Sequence, residues 1–113
     1  MSSERYIPTD IRLQTSEETA YMFAQRVKKE RIVEELTQKD LAKKAKITYS
    51  SIVRFENTGE ISLVRLIKIL RTLKKINLIE EMINYDPIKA FDDFKAIEQR
   101  EIKIQKRRVR KNG

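Results

Sequence analysis

The 113-residue chain has no cysteine, no histidine and no tryptophan. Without cysteine there are no disulfides, thiolate metal sites or cysteine nucleophiles. The lack of histidine removes imidazole acid–base chemistry and the zinc sites that depend on it. Glycine and proline occur twice each, and aromatic residues make up 7%. A small core must therefore be aliphatic, and the chain has no glycine- or serine-rich linker and no internal repeat. No apolar run approaches the length of a bilayer span, so no membrane partner is expected. The opening residues, MSSERYIPTD, lack the basic-then-apolar layout of a signal peptide, and a cytoplasmic location is expected.

Charge, by contrast, is abundant: 37% of residues are charged and the formal net charge is +8. Seven basic residues against Glu101 put the segment from Arg100 to Gly113 at +6, which leaves +2 for residues 1–99. A uniformly basic surface would suit indiscriminate polyanion binding. Here the folded part is nearly balanced and the excess sits in a tail. That tail reads either as a solvated end or as a segment that contacts phosphate.

Residues 1–14 read as an N-terminal arm with a short extended segment, because Pro8 breaks a helix and apolar residues alternate with polar ones around Ile11 and Leu13. Thr15 with Glu18 forms a capping box that predicts a helix to about Val33, with Ala20, Phe23, Ala24 and Val27 inward. Thr37 with Asp40 repeats the signal ahead of Leu41, Ala42 and Ala45. Lys46-Ile47-Thr48 connects to a helix of about Tyr49 to Glu56 that turns Ile52 and Phe55 inward, with Thr48 as its cap. Asn57 to Glu60 is a turn by composition. Ser62 caps an amphipathic helix with Leu63, Leu66, Ile67, Leu70 and Leu73 inside. A short helix from Leu78 to about Ile83 follows. The last segment, Ile88 to about Ile104, carries an apolar stripe too narrow for a stable helix alone in water. The expected division is an arm (1–14), a helical domain (15–84), and an amphipathic segment with the basic tail (85–113).

Two short helices joined by three residues form a helix-turn-helix. Ala42 and Ala45 permit a close crossing, Ile47 plugs the angle, and Ile52 and Phe55 anchor the second helix. An ordinary helical hairpin would share the amphipathic pattern. It would not be expected to place a capping box, a small-residue pair, an apolar turn residue and a short-chained polar face in this order within residues 37–57. The exposed face of the second helix suits approach to base edges in double-stranded DNA. Arg54 can fork onto guanine, and Ser50 and Ser51 can bond to several bases. Tyr49 can pack on a thymine methyl or reach a phosphate. Gln38, at a helix N-terminus with free N–H groups, makes a phosphate site. Lys39, Lys43, Lys46, Thr48 and Asn57 complete the phosphate set. No catalytic residues, metal site or cofactor are expected. The adjacent carboxylates Asp92-Asp93 and Glu80-Glu81 would point about 100° apart on a helix and not share a site.

Leu36-Thr37-Gln38-Lys39-Asp40-Leu41-Ala42, Ile47-Thr48, Ser51-Ile52 and Phe55-Glu56-Asn57, with Val27-Lys28 and Arg31 upstream, resemble the lambda-repressor-like (Cro/CI, XRE) helix-turn-helix family. The resemblance spans about Ala20 to Ile83. It implies an all-α fold built on a five-helix domain, and DNA binding as a two-fold homodimer on a palindromic operator. It also implies base contacts from Tyr49, Ser50 and Arg54 and phosphate contacts from Gln38 and Asn57. The family commonly has glycine where this chain has Glu35 and Lys46. These two must either adopt the left-handed conformation, at about 1 kcal/mol each, or end their helices differently, and a slightly altered turn is expected.

A narrower resemblance rests on Asp10-Ile11-Arg12-Leu13, the helices at Ser62-Leu63 and Leu78-Ile79, Pro87-Ile88 and the basic end. It points to HipB-type antitoxin regulators and implies a repressor of its own operon that binds a HipA-like kinase toxin. A stand-alone phage-type or restriction-control repressor would use the same DNA chemistry without a protein client. A pure interaction module would have lost it.

Overall fold

The computed structural model describes residues 6–112, with side chains to residue 108. Residues 1–5 of the expected arm, and the side chains of Arg110 and Lys111 in the basic tail, lie outside the described residues. Six α-helices and one 3-10 turn make up the described residues, and no strand occurs among them. The helices are α1 (Ser16–Val33), α2 (Gln38–Ala45), α3 (Tyr49–Thr58), α4 (Leu63–Thr72), α5 (Asn77–Asn84) and α6 (Pro87–Asn112). The chain divides into two compact units, residues 1–79 and 80–113.

Each helix of the first unit up to α4 begins where a hydroxyl can accept from a free N–H. Thr15 Oγ1 accepts from Glu18 N at 3.0 Å while Glu18 Oε1 accepts from Thr15 N at 2.9 Å. Thr37 and Asp40 form the same reciprocal pair at 3.0 Å each. Thr48 and Ser62 cap α3 and α4. Such caps contribute about 1 kcal/mol apiece.

The ends of these helices are less conventional. Glu35, Lys46 and Lys74 all take the left-handed conformation, with φ of 58°, 59° and 60°. Behind each, the same paired bonds close the helix. Leu36 N donates to Arg31 O and Glu35 N to Ile32 O; Ile47 N donates to Ala42 O and Lys46 N to Lys43 O. Lys75 N donates to Leu70 O and Lys74 N to Arg71 O. All three are Schellman endings with a charged residue in place of the usual glycine. Glu35 and Lys46 thus take the left-handed conformation, and the slightly altered turn expected in place of glycine is corrected to an ordinary Schellman geometry. Of α1 to α4, α3 alone ends at a glycine, Gly59 (φ 84°), whose N–H donates to Phe55 O at 2.7 Å. A Cβ there would lie 2.5 Å from the Ala20 carbonyl carbon and 2.7 Å from Tyr21 N. Glycine is required at this position by the backbone of α1 as well as by φ.

Ala24, Val27, Leu41, Ala42, Ala45, Ile52, Phe55, Ile69, Leu70 and Leu73 form the core, flanked by Leu36, Ile47, Ile61, Leu66 and Ile79. α1 packs on α3, and α2 on both α3 and α4. Buried Ala42 and Ala45 let α2 lie close. Two inward assignments are corrected. Leu63 is 65% exposed and Ile69 is buried instead, because the stripe that faces the core runs 66, 69, 70, 73 (i, i+3, i+4, i+7). Phe23 is 37% exposed; it lines an apolar depression of about 300 Å³ with Val27, Leu70, Leu73 and Leu78.

The arm also departs from expectation. Residues 11–13 form a 3-10 turn, not an extended segment, because Asp10 Oδ1 accepts from Arg12 N at 2.9 Å and offers the backbone a local alternative. Gln14 ties this turn down, donating to Pro8 O and accepting from Thr19 Oγ1.

In the second unit, α6 is a single helix of 26 residues, longer than the apolar stripe alone predicts. Asp86 Oδ1 accepts from Ile88 N and Lys89 N, and Pro87 takes the first helical position. Every described side chain of α6 is exposed, including Ile88, Phe91, Phe94 and Ile97.

Candidate nucleic-acid interface

α3 has two faces of different chemistry. Ile52, Phe55 and Glu56 are buried. Tyr49, Ser50 and Arg54 are exposed on the other side, with Ser51 and Val53 half-buried between them, and Asn57 is exposed at the exit. Tyr49, Ser50, Ser51, Val53 and Arg54 line one shallow depression. The structure therefore brings the four expected base-reading residues onto one surface.

At the N-terminus of α3, Thr48 Oγ1 accepts from Ser51 N at 3.2 Å and lies 2.7 Å from Ser51 Oγ and 3.2 Å from Ser50 Oγ. These three hydroxyls form a local network that holds both serines by the cap. Tyr49 is met from α2: Lys39 Nζ lies 5.5 Å from its ring centroid, close enough for cation–π attraction. That contact links the first turns of the two motif helices, and residue chemistry alone did not anticipate it.

Gln38 opens α2. The Thr37 cap occupies the amide of Asp40, and Leu41 N donates to Thr37 O, so the amides of Gln38 and Lys39 have no partner within the helix. The Gln38 side chain is tethered, its Nε2 donating to Glu56 Oε1 at 2.9 Å. Its second N–H and its carbonyl stay free. Lys39, Lys43, Lys46 and Asn57 are exposed, with Lys46 at the C-cap of α2, the opposite end of that helix from Gln38. Asp40, the one acid in the first turn of α2, is held below the ordinary aspartate range. The Thr37 backbone N–H is the main cause, followed by the Thr37 side chain and the charges of Lys44 and Lys43.

Two further groups shape the surface from behind and beside it. Arg31 and Glu56 form a buried ion pair, with side chains 9% and 3% exposed. Arg31 Nε donates to Glu56 Oε2 at 2.7 Å and its NH2 to Oε1 at 3.1 Å, while NH1 donates to Leu36 O. Gln25 Nε2 donates to the Glu56 backbone carbonyl at 2.7 Å. α1, α2 and α3 thus meet at one carboxylate, and no buried side-chain polar atom lacks a partner among the described residues. The available signal was register: Arg31 is four residues from buried Val27 and Glu56 four from buried Ile52, so both charges stand at core positions. The second group is Glu60, whose Oε1 accepts from Arg54 NH2 at 2.7 Å. This hydrogen bond, with the carboxylate charge, raises Arg54 above its ordinary pKa. Composition alone places Glu60 in a turn and does not signal this bond.

Among the described residues there is no cluster of acidic, histidine or cysteine side chains fit to hold a metal ion, and no helix is long and apolar enough to cross a membrane. A search of curated proteins finds no match. Residues 27–80, from the middle of α1 to the middle of α5, match a helix-turn-helix family model.

Proposed function

We propose that the protein is a sequence-specific repressor that lays α3 in the major groove of double-stranded DNA. The observation that carries this reading is the two-faced α3: its buried side is fixed to α1 and α2, while Tyr49, Ser50, Ser51 and Arg54 share the outward surface. Arg54 contacts guanine and the serines contact neighbouring base edges. Phosphates on either side meet the α2 N-terminus at Gln38 and the side chains of Lys39, Lys43, Lys46, Thr48 and Asn57. A single half-site gives weak binding, so the active form is a homodimer on half-sites about one DNA turn, roughly 34 Å, apart. Exposed Leu78, Met82 and Ile83 on α5 and exposed Tyr6, Ile11 and Leu13 on the arm are the apolar groups open to such pairing.

Fluorescence anisotropy on duplexes from the region upstream of the protein's own gene tests the reading. The wild type should prefer one of them over an unrelated duplex, and Arg54→Ala should lower that preference roughly ten- to hundredfold. Equal binding to all duplexes, or none, refutes it.

The physiological role proposed is that of a HipB-type antitoxin that represses its own operon and binds a HipA-like kinase toxin. The exposed apolar residues Phe91, Phe94 and Ile97 of α6 support a protein client. Co-purification with the product of an adjacent kinase-like gene is the expected result. With no such gene and no complex, the stand-alone repressor is left.

A further inference from the structure

Arg54 does not stand free on the recognition face. Its bond to Glu60 joins two side chains that are 67% and 63% exposed, and an exposed pair of this kind contributes little to folding. Its backbone support is more specific. Glu60 N donates to Thr58 Oγ1 at 3.0 Å, and Thr58 Oγ1 donates to Arg54 O at 2.7 Å. Between them, Gly59 is seated against the backbone of α1 at Ala20 and Tyr21. The carboxylate is therefore carried by a fixed turn that brings it back beside the last outward residue of the α3 N-terminal half. It forms one wall of a depression of about 530 Å³ that also includes Arg54, Ser51, Ser62 and Arg65.

A guanidinium has five N–H groups, and this bond uses one hydrogen of NH2. Whichever hydrogen it is, one of the two-donor edges of Arg54 stays complete, as recognition of guanine O6 and N7 requires. An arginine without such a partner samples many rotamers and finds phosphate, the denser negative charge, as readily as a base. A carboxylate at this place also repels phosphate, so it opposes non-specific attraction. We propose that Glu60 is a specificity-determining positioning residue: it holds Arg54 with its free edge toward guanine and away from the DNA backbone. The proposal rests on the DNA-reading function above.

Selection from a randomised duplex library by the full chain tests it, comparing wild type with Glu60→Ala, Glu60→Gln and Arg54→Ala, followed by salt titrations on the selected and an unrelated duplex. Glu60→Ala should bind the unrelated duplex severalfold more tightly, with a salt slope steeper by about 1. It should also lose up to about fivefold of the guanine preference at the position read by Arg54. Glu60→Gln keeps an acceptor oxygen without the charge, so it should recover guanine preference while retaining the tighter non-specific binding. In an Arg54→Ala background, Glu60→Ala should cost no further preference. Unchanged guanine preference in Glu60→Ala, whatever its affinity, overturns the proposal and leaves Glu60 a surface charge. A wild type that selects no sequence overturns the DNA-reading function itself, and this inference with it.

Discussion

Glu56→Ala removes the acceptor for three side-chain donors at once. Arg31 loses the bonds from Nε and NH2 and keeps only that from NH1 to Leu36 O; Gln38 loses its tether. Because Arg31 is 9% exposed, water cannot replace the lost carboxylate without opening the junction of α1, α2 and α3. Breaking a buried pair in this way costs about 3–5 kcal/mol, against roughly 5–15 kcal/mol for the stability of a whole domain. With a urea dependence near 1 kcal/mol per molar for a unit this small, the unfolding midpoint should fall by about 3–5 M. Circular dichroism at 222 nm is the suitable probe, since the chain has no tryptophan. The same reasoning requires that Arg31→Met combined with Glu56→Leu recover most of the loss, because apolar replacement of both partners removes the stranded charge. A loss below about 1 kcal/mol for Glu56→Ala, or a double variant as weak as the single, would refute the assignment of stability to this desolvated pair.

Gly59→Ala should destabilise by more than the roughly 1 kcal/mol of a left-handed alanine, because its Cβ meets the α1 backbone at 2.5 Å; thermal melts that fall by less than about 4 °C would count against that contact. Lys46→Gly and Glu35→Gly should do the reverse, each adding about 0.5–1 kcal/mol by relieving a left-handed side chain, with the gain read in the same melts. The pKa of Asp40 is lowered in the folded protein, so its contribution is complete above the ordinary aspartate value of about 4. That contribution is lost as pH falls through the lower folded value. Asp40→Asn should therefore melt below wild type at pH 6, by a margin that narrows as the pH is lowered through and below the ordinary aspartate range; a constant gap would exclude the linkage.

The helix starts were legible because capping is local: Thr15, Thr37, Thr48 and Ser62 each act within three residues of sequence. The turn after α2 and the outward face of α3 were legible for the same reason, since α-helical periodicity maps residue to side once the start is known. The arm was misjudged because a single Asp10 side chain outweighs a weak alternation of apolar residues. Leu63 was misplaced because a helix this rich in leucine and isoleucine has several plausible stripes, and only contact with α2 selects the one through Ile69. The partners of Arg31 and Arg54 are 25 and 6 residues away. Register marks Arg31 and Glu56 as core positions, but their pairing depends on how α1 and α3 cross, and the Arg54–Glu60 bond depends on the turn at Gly59 that folds the chain back after α3.

The separation of faces on α3 has an evolutionary consequence. Ile52, Phe55 and Glu56 hold the helix in place, and none of them is among the residues proposed to face the bases. Tyr49, Ser50 and Arg54 are solvent-facing, so exchanging them for other polar side chains should leave the melting temperature nearly unchanged. A duplicated gene could therefore acquire a new operator through a few substitutions on one surface, without passing through an unstable intermediate. Under this arrangement, target choice is free to drift while the scaffold stays under purifying selection.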